Sequence, residues 1–330
     1  MRTRRPAVLA VAALLVPLLV PLLAASPARA GTCANVFPAG YADTLARDFP
    51  NQRVTASVFD TRSGCEYRLN HGLRLTTASV IKAGVLGAVL LKAQDAGRGL
   101  TEWERARIRP MIQLSHNNPY VSDLYSHVGG VPGMDRADRR WGSQSTTNSA
   151  SYGATWTTAA DRTRISLRML HGGGALHATG RAEAWRYMST VHPTQRWGIS
   201  AGVPSGWAVA SKNGFYPMRG YGWRVGSTGF VRQGSYGGYA LTVLTDGGSS
   251  QVQGMRLVES VSRRVASVLA GGPAAPRSVD RAVCTNASSG ESWTAVARRV
   301  SADPAAVRAV SGGNPSPLQG QRACSPTLRS

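Results

Sequence analysis

The chain has 38 lysines and arginines, of which only Lys82, Lys92 and Lys212 are lysine. Arginine keeps its proton in proteins and lysine can release it, so a rare lysine marks a place where that difference matters. Lys92 reads as a solvated helix residue beside Gln94 and Asp95. Lys82 is different. It interrupts the apolar run Ala78-Ser79-Val80-Ile81-Lys82-Ala83-Gly84-Val85-Leu86, which reads as a buried helix, where an ammonium needs a partner or a lowered pKa. Ser79 lies three residues earlier and hence on the same face. A serine one turn ahead of a desolvated lysine is a nucleophile with a proton acceptor beside it. Two further polar sets follow in chain order: Ser115-His116-Asn117, and Lys212-Asn213-Gly214 at the end of a strand-like run. His71, His116, His127, His171, His177 and His192 never approach each other at helical ligand spacing, so no metal site and no cofactor are expected.

The elements around these sets alternate in kind. A helix is expected near residues 41–48, then a hairpin of strands 54–59 and 65–69 about the turn Asp60-Thr61-Arg62-Ser63-Gly64. From there to about residue 190 the pattern is mostly helical. Asn118-Pro119 can cap and open one of these helices. Extended runs at 207–211, 223–231 and 239–245, separated by Gly-rich turns, precede a long helical pattern at 251–269. Strands at both ends around a helical middle predict an α/β (α+β) fold: one antiparallel sheet flanked by helices, with an inserted all-helical lobe.

The 330 residues suit one large catalytic unit plus a small module, and 42% hydrophobic against 17% charged residues exclude a disordered chain. Residues 1–30 read as a signal peptide: Arg2, Arg4 and Arg5, an apolar run, then Ala28-Arg29-Ala30 as a cleavage pattern. A membrane anchor is the competing reading, against which stand Pro17, Pro21 and that cleavage pattern. Arg4-Arg5 followed by the weak Pro6-Ala7-Val8 leaves Sec and Tat export both open. Export favours oxidised thiols, so Cys33 with Cys65 and Cys284 with Cys324 are expected as local disulfides. Gly271-Gly272-Pro273-Ala274-Ala275-Pro276 begins a linker, 271–282, between a body at 31–270 and a module at 283–330.

The motif order Ser79-x-x-Lys82, Ser115-His116-Asn117 and Lys212-Asn213-Gly214 resembles that of the penicillin-binding serine hydrolases, especially class A β-lactamases. The resemblance spans roughly residues 35–270. It implies that Ser79 is acylated, that Lys82 manages its proton, and that Ser115 relays a proton to the leaving nitrogen. Asn117 would contact the substrate's amide and Lys212 its carboxylate. The oxyanion would be held by the N–H groups of Ser79 and Phe215, with Gly214 allowing close backbone approach. Asn213 stands where the family has a hydroxyl residue, and His116 where it has an aspartate. The family's deacylating glutamate directly follows an Arg-Trp pair, whereas Arg140-Trp141 is here followed by Gly142, with Thr157-Thr158-Ala159-Ala160 as the next helix start. The acyl-enzyme is therefore expected to be long-lived. The stretch between Ser79 and Ser115 is also shorter than in a typical lactamase, which should leave that rim of the cleft open.

Residues 283–325 resemble a LysM module, a βααβ unit that binds peptidoglycan. Glu291 suits its first helix start, Asp303 before Pro304 caps the second, and Cys284–Cys324 would tie its strand ends. An unrelated stapled helical hairpin is the alternative. The formal charge is +21, four arginines of it in the first thirty residues, and the remainder fits an anionic envelope. Nucleic acid is not expected, because the arginines are scattered and no recognition motif occurs. The sequence thus predicts a secreted, wall-associated monomer without a stable membrane anchor, an active-site serine hydrolase acting on β-lactams or D-alanyl peptides. The alternative is a non-catalytic peptidoglycan-binding protein with a degenerate body.

Overall fold

In the computed structural model, residues 33–235, 237–272 and 282–328 are described; the expected signal peptide and most of the expected linker lie outside them. Helix α1 (Tyr41–Asp48) precedes strands β1 (Arg53–Asp60), β2 (Glu66–Leu69) and β3 (Leu75–Thr76). A 3₁₀ turn, Ala78–Val80, then leads into α2 (Ile81–Asp95). Next come α3 (Glu102–Gln113), α4 (Tyr120–His127), α5 (Gly130–Trp141), β4 (Trp156–Thr157), α6 (Ala159–Leu170) and α7 (Ala178–Ser189). Strands β5 (Ala208–Met218), β6 (Gly222–Arg232) and β7 (Gly238–Gly248) and helix α8 (Gln251–Ala270) close the body. The terminal segment adds β8 (Ala282–Asn286), α9 (Trp293–Arg299), α10 (Pro304–Val310) and β9 (Arg322–Leu328).

The main sheet is antiparallel with the order β2-β1-β7-β6-β5, so the N-terminal hairpin pairs with the last strand of the body. Period-two alternation divides its side chains between two cores. From β7, Tyr239, Leu241 and Val243 face a core shared with α8, while Ala240 joins the core of the helical lobe. Helix α2 is apolar on nearly every side and all but encased, which is what a helix at the centre of such a lobe requires. Local signals set the ends of the others. Thr101 and Glu104 form a reciprocal capping box on α3, and Thr158 and Ser250 cap α6 and α8.

Three expectations need correction. Ser79 does not lie within α2 but in the 3₁₀ turn before it, where Ala78 takes a φ of 44°. The first of the three late extended runs does not end at Lys212-Asn213-Gly214; β5 runs on to Met218, because its edge position tolerates Pro217. Gly142 does not border the cleft. It closes α5 with a φ of 72°, and a Cβ there would meet the Arg168 guanidinium.

Cys33–Cys65 and Cys284–Cys324 are both disulfides. The terminal segment folds as β-α-α-β, with β8 and β9 paired antiparallel and Asp303 capping α10 ahead of Pro304. It belongs to the same compact unit as the body, residues 32–330. Among the described residues no helix is long and apolar enough to cross a membrane.

Candidate active site

A cavity of about 390 Å³ opens where the sheet edge meets the helical lobe, lined by Ser79, Ser115, Asn117, Tyr152 and Phe215 among others. Five elements deliver its groups. The 3₁₀ turn ahead of α2 places Ser79, partly exposed to the cavity, and one turn later α2 carries Lys82, fully buried. The link between α3 and α4 supplies Ser115 at a φ of 62° and, two residues on, Asn117. The edge strand β5 brings Lys212. The loop before β4 supplies Tyr152, Gly153 and Ala154.

That loop is held from beneath by buried charge. Asp161 accepts hydrogen bonds from the Gln144 and Ser145 N–H groups and the Thr146 hydroxyl. Arg162 reaches Asp138, Thr146 and Thr157 from the same helix. The Thr77 N–H donates to the Thr155 carbonyl, tying the loop to the turn that carries Ser79. These groups are removed from water only because each finds partners.

Lys82 Nζ lies 2.6 Å from the Ser115 carbonyl oxygen, 2.8 Å from Asn117 Oδ1 and 3.5 Å from Ser115 Oγ. No hydrogen bond joins it to Ser79 Oγ among the described residues. Burial, and then the charge of Lys212, push its pKa well below the usual lysine value. A neutral amine has two N–H donors and one lone pair. Its two short contacts are both to acceptors that cannot donate, so both donors are used and the lone pair is left over.

Lys212 Nζ donates to Ser115 Oγ at 2.8 Å and to the Asn213 carbonyl at 2.7 Å, and burial lowers its pKa to about 7. With its oxygen accepting from Lys212, the Ser115 hydroxyl is free to turn its proton toward Lys82 or the cavity. The nearness of β5 to Ser79 depends on Gly214. A Cβ there would stand 2.5 Å from the Val80 nitrogen and 2.8 Å from that of Ser79, distances that no side chain can occupy. Phe215, next along this edge strand, lines the cavity.

The structure therefore brings together Ser79, Lys82, Ser115, Asn117, Lys212, Gly214 and Phe215. It does not bring Asn213 to them. The side chain of Asn213 is buried on the other side of β5, where its amide donates to the Gln195 and Trp197 carbonyls, because adjacent strand residues face opposite ways. Among the described residues, none that lines the cavity carries a carboxylate. Sequence reasoning missed Tyr152, Tyr216, Met218, Arg224, Gly312 and Asn314, all of which line it. Only Arg224 gave a local signal, as a charge inside an apolar strand; it is buried and paired with Asp246.

This architecture is the β-lactamase-like fold. Residues 108–269 match the profile of the Beta-lactamase enzyme family, a span that holds Ser115 and Lys212 but not Ser79 or Lys82. Among solved structures, PBP-A is similar at 18% identity and a TM-score of 0.59, over 68% of this chain and 93% of that one. A beta lactamase from Xanthomonas campestris is similar at 18% identity and a TM-score of 0.59, over 69% and 95%. A class A beta-lactamase from Mycobacterium abscessus is similar at 19% identity and a TM-score of 0.58, over 68% and 96%. No curated protein matches the chain in sequence.

Proposed function

We propose that this protein is an exported active-site serine hydrolase that forms an acyl-enzyme through Ser79 with β-lactams or D-alanyl peptides. The observation that carries the reading is the buried Lys82 amine, whose donors are both engaged and whose lone pair is free one turn from Ser79. Ser79 Oγ attacks the amide carbon while its proton passes to Lys82. The C–O bond forms, and the developing oxyanion is met by the N–H groups of Ser79 and Phe215. The C–N bond then breaks as Ser115 gives its proton to the leaving nitrogen and recovers one from Lys82. Lys212 keeps Ser115 in place and, in its protonated form, supplies positive charge for a substrate carboxylate. PBP-A supports the reading, since a leucine-to-glutamate mutant of it is held as an acyl-enzyme complex with penicillin G.

The two disulfides are consistent with a secreted protein. The stapled β-α-α-β order of residues 282–328 supports a LysM-like, peptidoglycan-binding unit. Unchanged sedimentation with purified cell walls, against a β-lactamase lacking such a unit, would count against it.

The lack of a carboxylate among the lining residues favours, as a second reading, a wall-binding protein without catalysis. Intact-mass measurement after incubation with benzylpenicillin separates the two. The expected result is one covalent adduct, absent in Ser79→Ala, that decays slowly and is accompanied by little turnover of a chromogenic cephalosporin. No adduct, or one that persists in Ser79→Ala, refutes the serine mechanism.

A further inference from the structure

The rim beside Ser115–Asn117, which the short stretch after Ser79 should leave open, is occupied by the terminal β-α-α-β unit. Gly312 and Asn314 line the same cavity as Ser79. The unit is fastened there at its second helix. The Ala309 carbonyl at the end of α10 accepts from His116 Nε2 at 2.7 Å, and the Val310 carbonyl accepts from the Thr194 hydroxyl at 2.9 Å. These are carbonyls that a helix end leaves without internal partners, and the body supplies their donors. His116 thus has a docking role in place of the family's aspartate. Gly312 and Gly313, at φ of 99° and 73°, let the following loop lie flat; a Cβ on Gly313 would stand 3.2 Å from the His116 ring. Behind the loop, Trp293 Nε1 donates to the Asn314 carbonyl at 2.9 Å. A second attachment joins Gln251 to the Gly320 carbonyl and the Arg322 N–H.

At the end of this loop Asn314 Oδ1 accepts from Asn117 Nδ2 at 3.0 Å. The orientation of Asn117 is fixed from its other side, because its Oδ1 must face the Lys82 amine, which leaves Nδ2 toward the cavity. We propose that Asn314 is a specificity-determining residue of the hydrolase site. It occupies one of the two N–H donors of the Asn117 amide at the cavity, competes there with an acylamino carbonyl, and so disfavours acyl donors that carry such a group. This rests on the acylation chemistry proposed above. An acylamino carbonyl that takes the N–H held by Asn314 exchanges one amide hydrogen bond for another, whereas a substrate without that group leaves the Asn117–Asn314 pair intact. The terminal unit is then a wall of the active site as well as an appended module.

The test compares acylation rates, by intact mass, for benzylpenicillin, which has an acylamino group, and clavulanate, which has none. In full-length Asn314→Ala the ratio of benzylpenicillin to clavulanate rates should rise roughly fivefold, the worth of one net hydrogen bond. In Asn314→Asp, which keeps an acceptor on Asn117, the ratio should stay near that of the unaltered protein. A ratio that is unchanged or falls in Asn314→Ala overturns the assignment while leaving serine acylation standing. No adduct with either compound in any of the three proteins overturns the acylation chemistry and this assignment with it.

Discussion

Burial of two lysines in one pocket makes stability depend on pH in a way that identifies them. Lys212 is driven from its usual 10.5 to about 7 by desolvation, so between those values the unfolded chain binds a proton that the folded chain has released. Stability must then rise with pH across that window and be lost as pH falls through about 7. Each such proton contributes about 1.4 kcal/mol per pH unit, and the full window for Lys212 amounts to about 5 kcal/mol. Lys82 acts in the same direction. The rise ends above about pH 10, where unfolded tyrosines ionise while buried Tyr239 and Tyr125, the latter pushed up to about 12, hold their protons. Lys212→Met keeps the apolar stem and removes the titrating group. Urea unfolding followed by tryptophan fluorescence at pH 7, 8, 9 and 10 should give a slope smaller by about 1.4 kcal/mol per unit in Lys212→Met. The double variant Lys82→Met/Lys212→Met should be flatter still. Equal slopes in Lys212→Met and the unaltered protein would show that Lys212 keeps its proton, and the electrostatic account of the site would fail.

Two other perturbations probe the frame. Burial alone would raise the carboxyl of Glu104, but hydrogen bonds from Arg98, the Thr101 N–H and His127 hold it at about 2. Its contribution, on the order of 3 kcal/mol, is present above its usual 4.5 and lost as pH falls toward 2, so Glu104→Gln should lessen the acid sensitivity of unfolding in that window. Identical acid profiles would remove Glu104 from the account. Gly214→Ala forces a Cβ against the Ser79 and Val80 backbone, which cannot yield as a side chain would, and should slow acylation by benzylpenicillin roughly ten- to hundredfold. Unchanged rates would mean that β5 and the turn that carries Ser79 are not held together as the geometry requires.

Much of this site was legible because chemistry leaves local marks. Lys82 stood out as one charge in an apolar helix, and the hairpin and α8 showed the period of their elements. What was misplaced depended on distant parts of the chain. Arg140-Trp141-Gly142 has the local pattern of a familiar loop, but in this chain Gly142 is used to end α5, and residues 151–154 reach the cleft instead. The strand expected to end at Lys212-Asn213-Gly214 continues through Phe215-Tyr216-Pro217-Met218, since Pro217 lacks an N–H but an edge strand has positions that need none. Asn314 lies 197 residues from Asn117, and only the docking of α10 makes them neighbours.

On the serine chemistry proposed above, the polar groups around Lys82 would also separate the two halves of a hydrolytic cycle. Acylation needs only a lone pair within reach of Ser79, and the Ser115 carbonyl and Asn117 leave that lone pair free by engaging both N–H groups. Deacylation needs a base that can also hold a water against the ester, and Lys82 is enclosed with no measurable exposure. Gly153 packs against Ala78 on the approach from the loop before β4, and the groups exposed there are hydroxyls, amides and a tyrosine whose burial raises its pKa. None of these takes a proton from water near neutral pH. A pocket can therefore be complete for forming the acyl bond and incomplete for breaking it, with the difference set by which faces of one buried amine remain open.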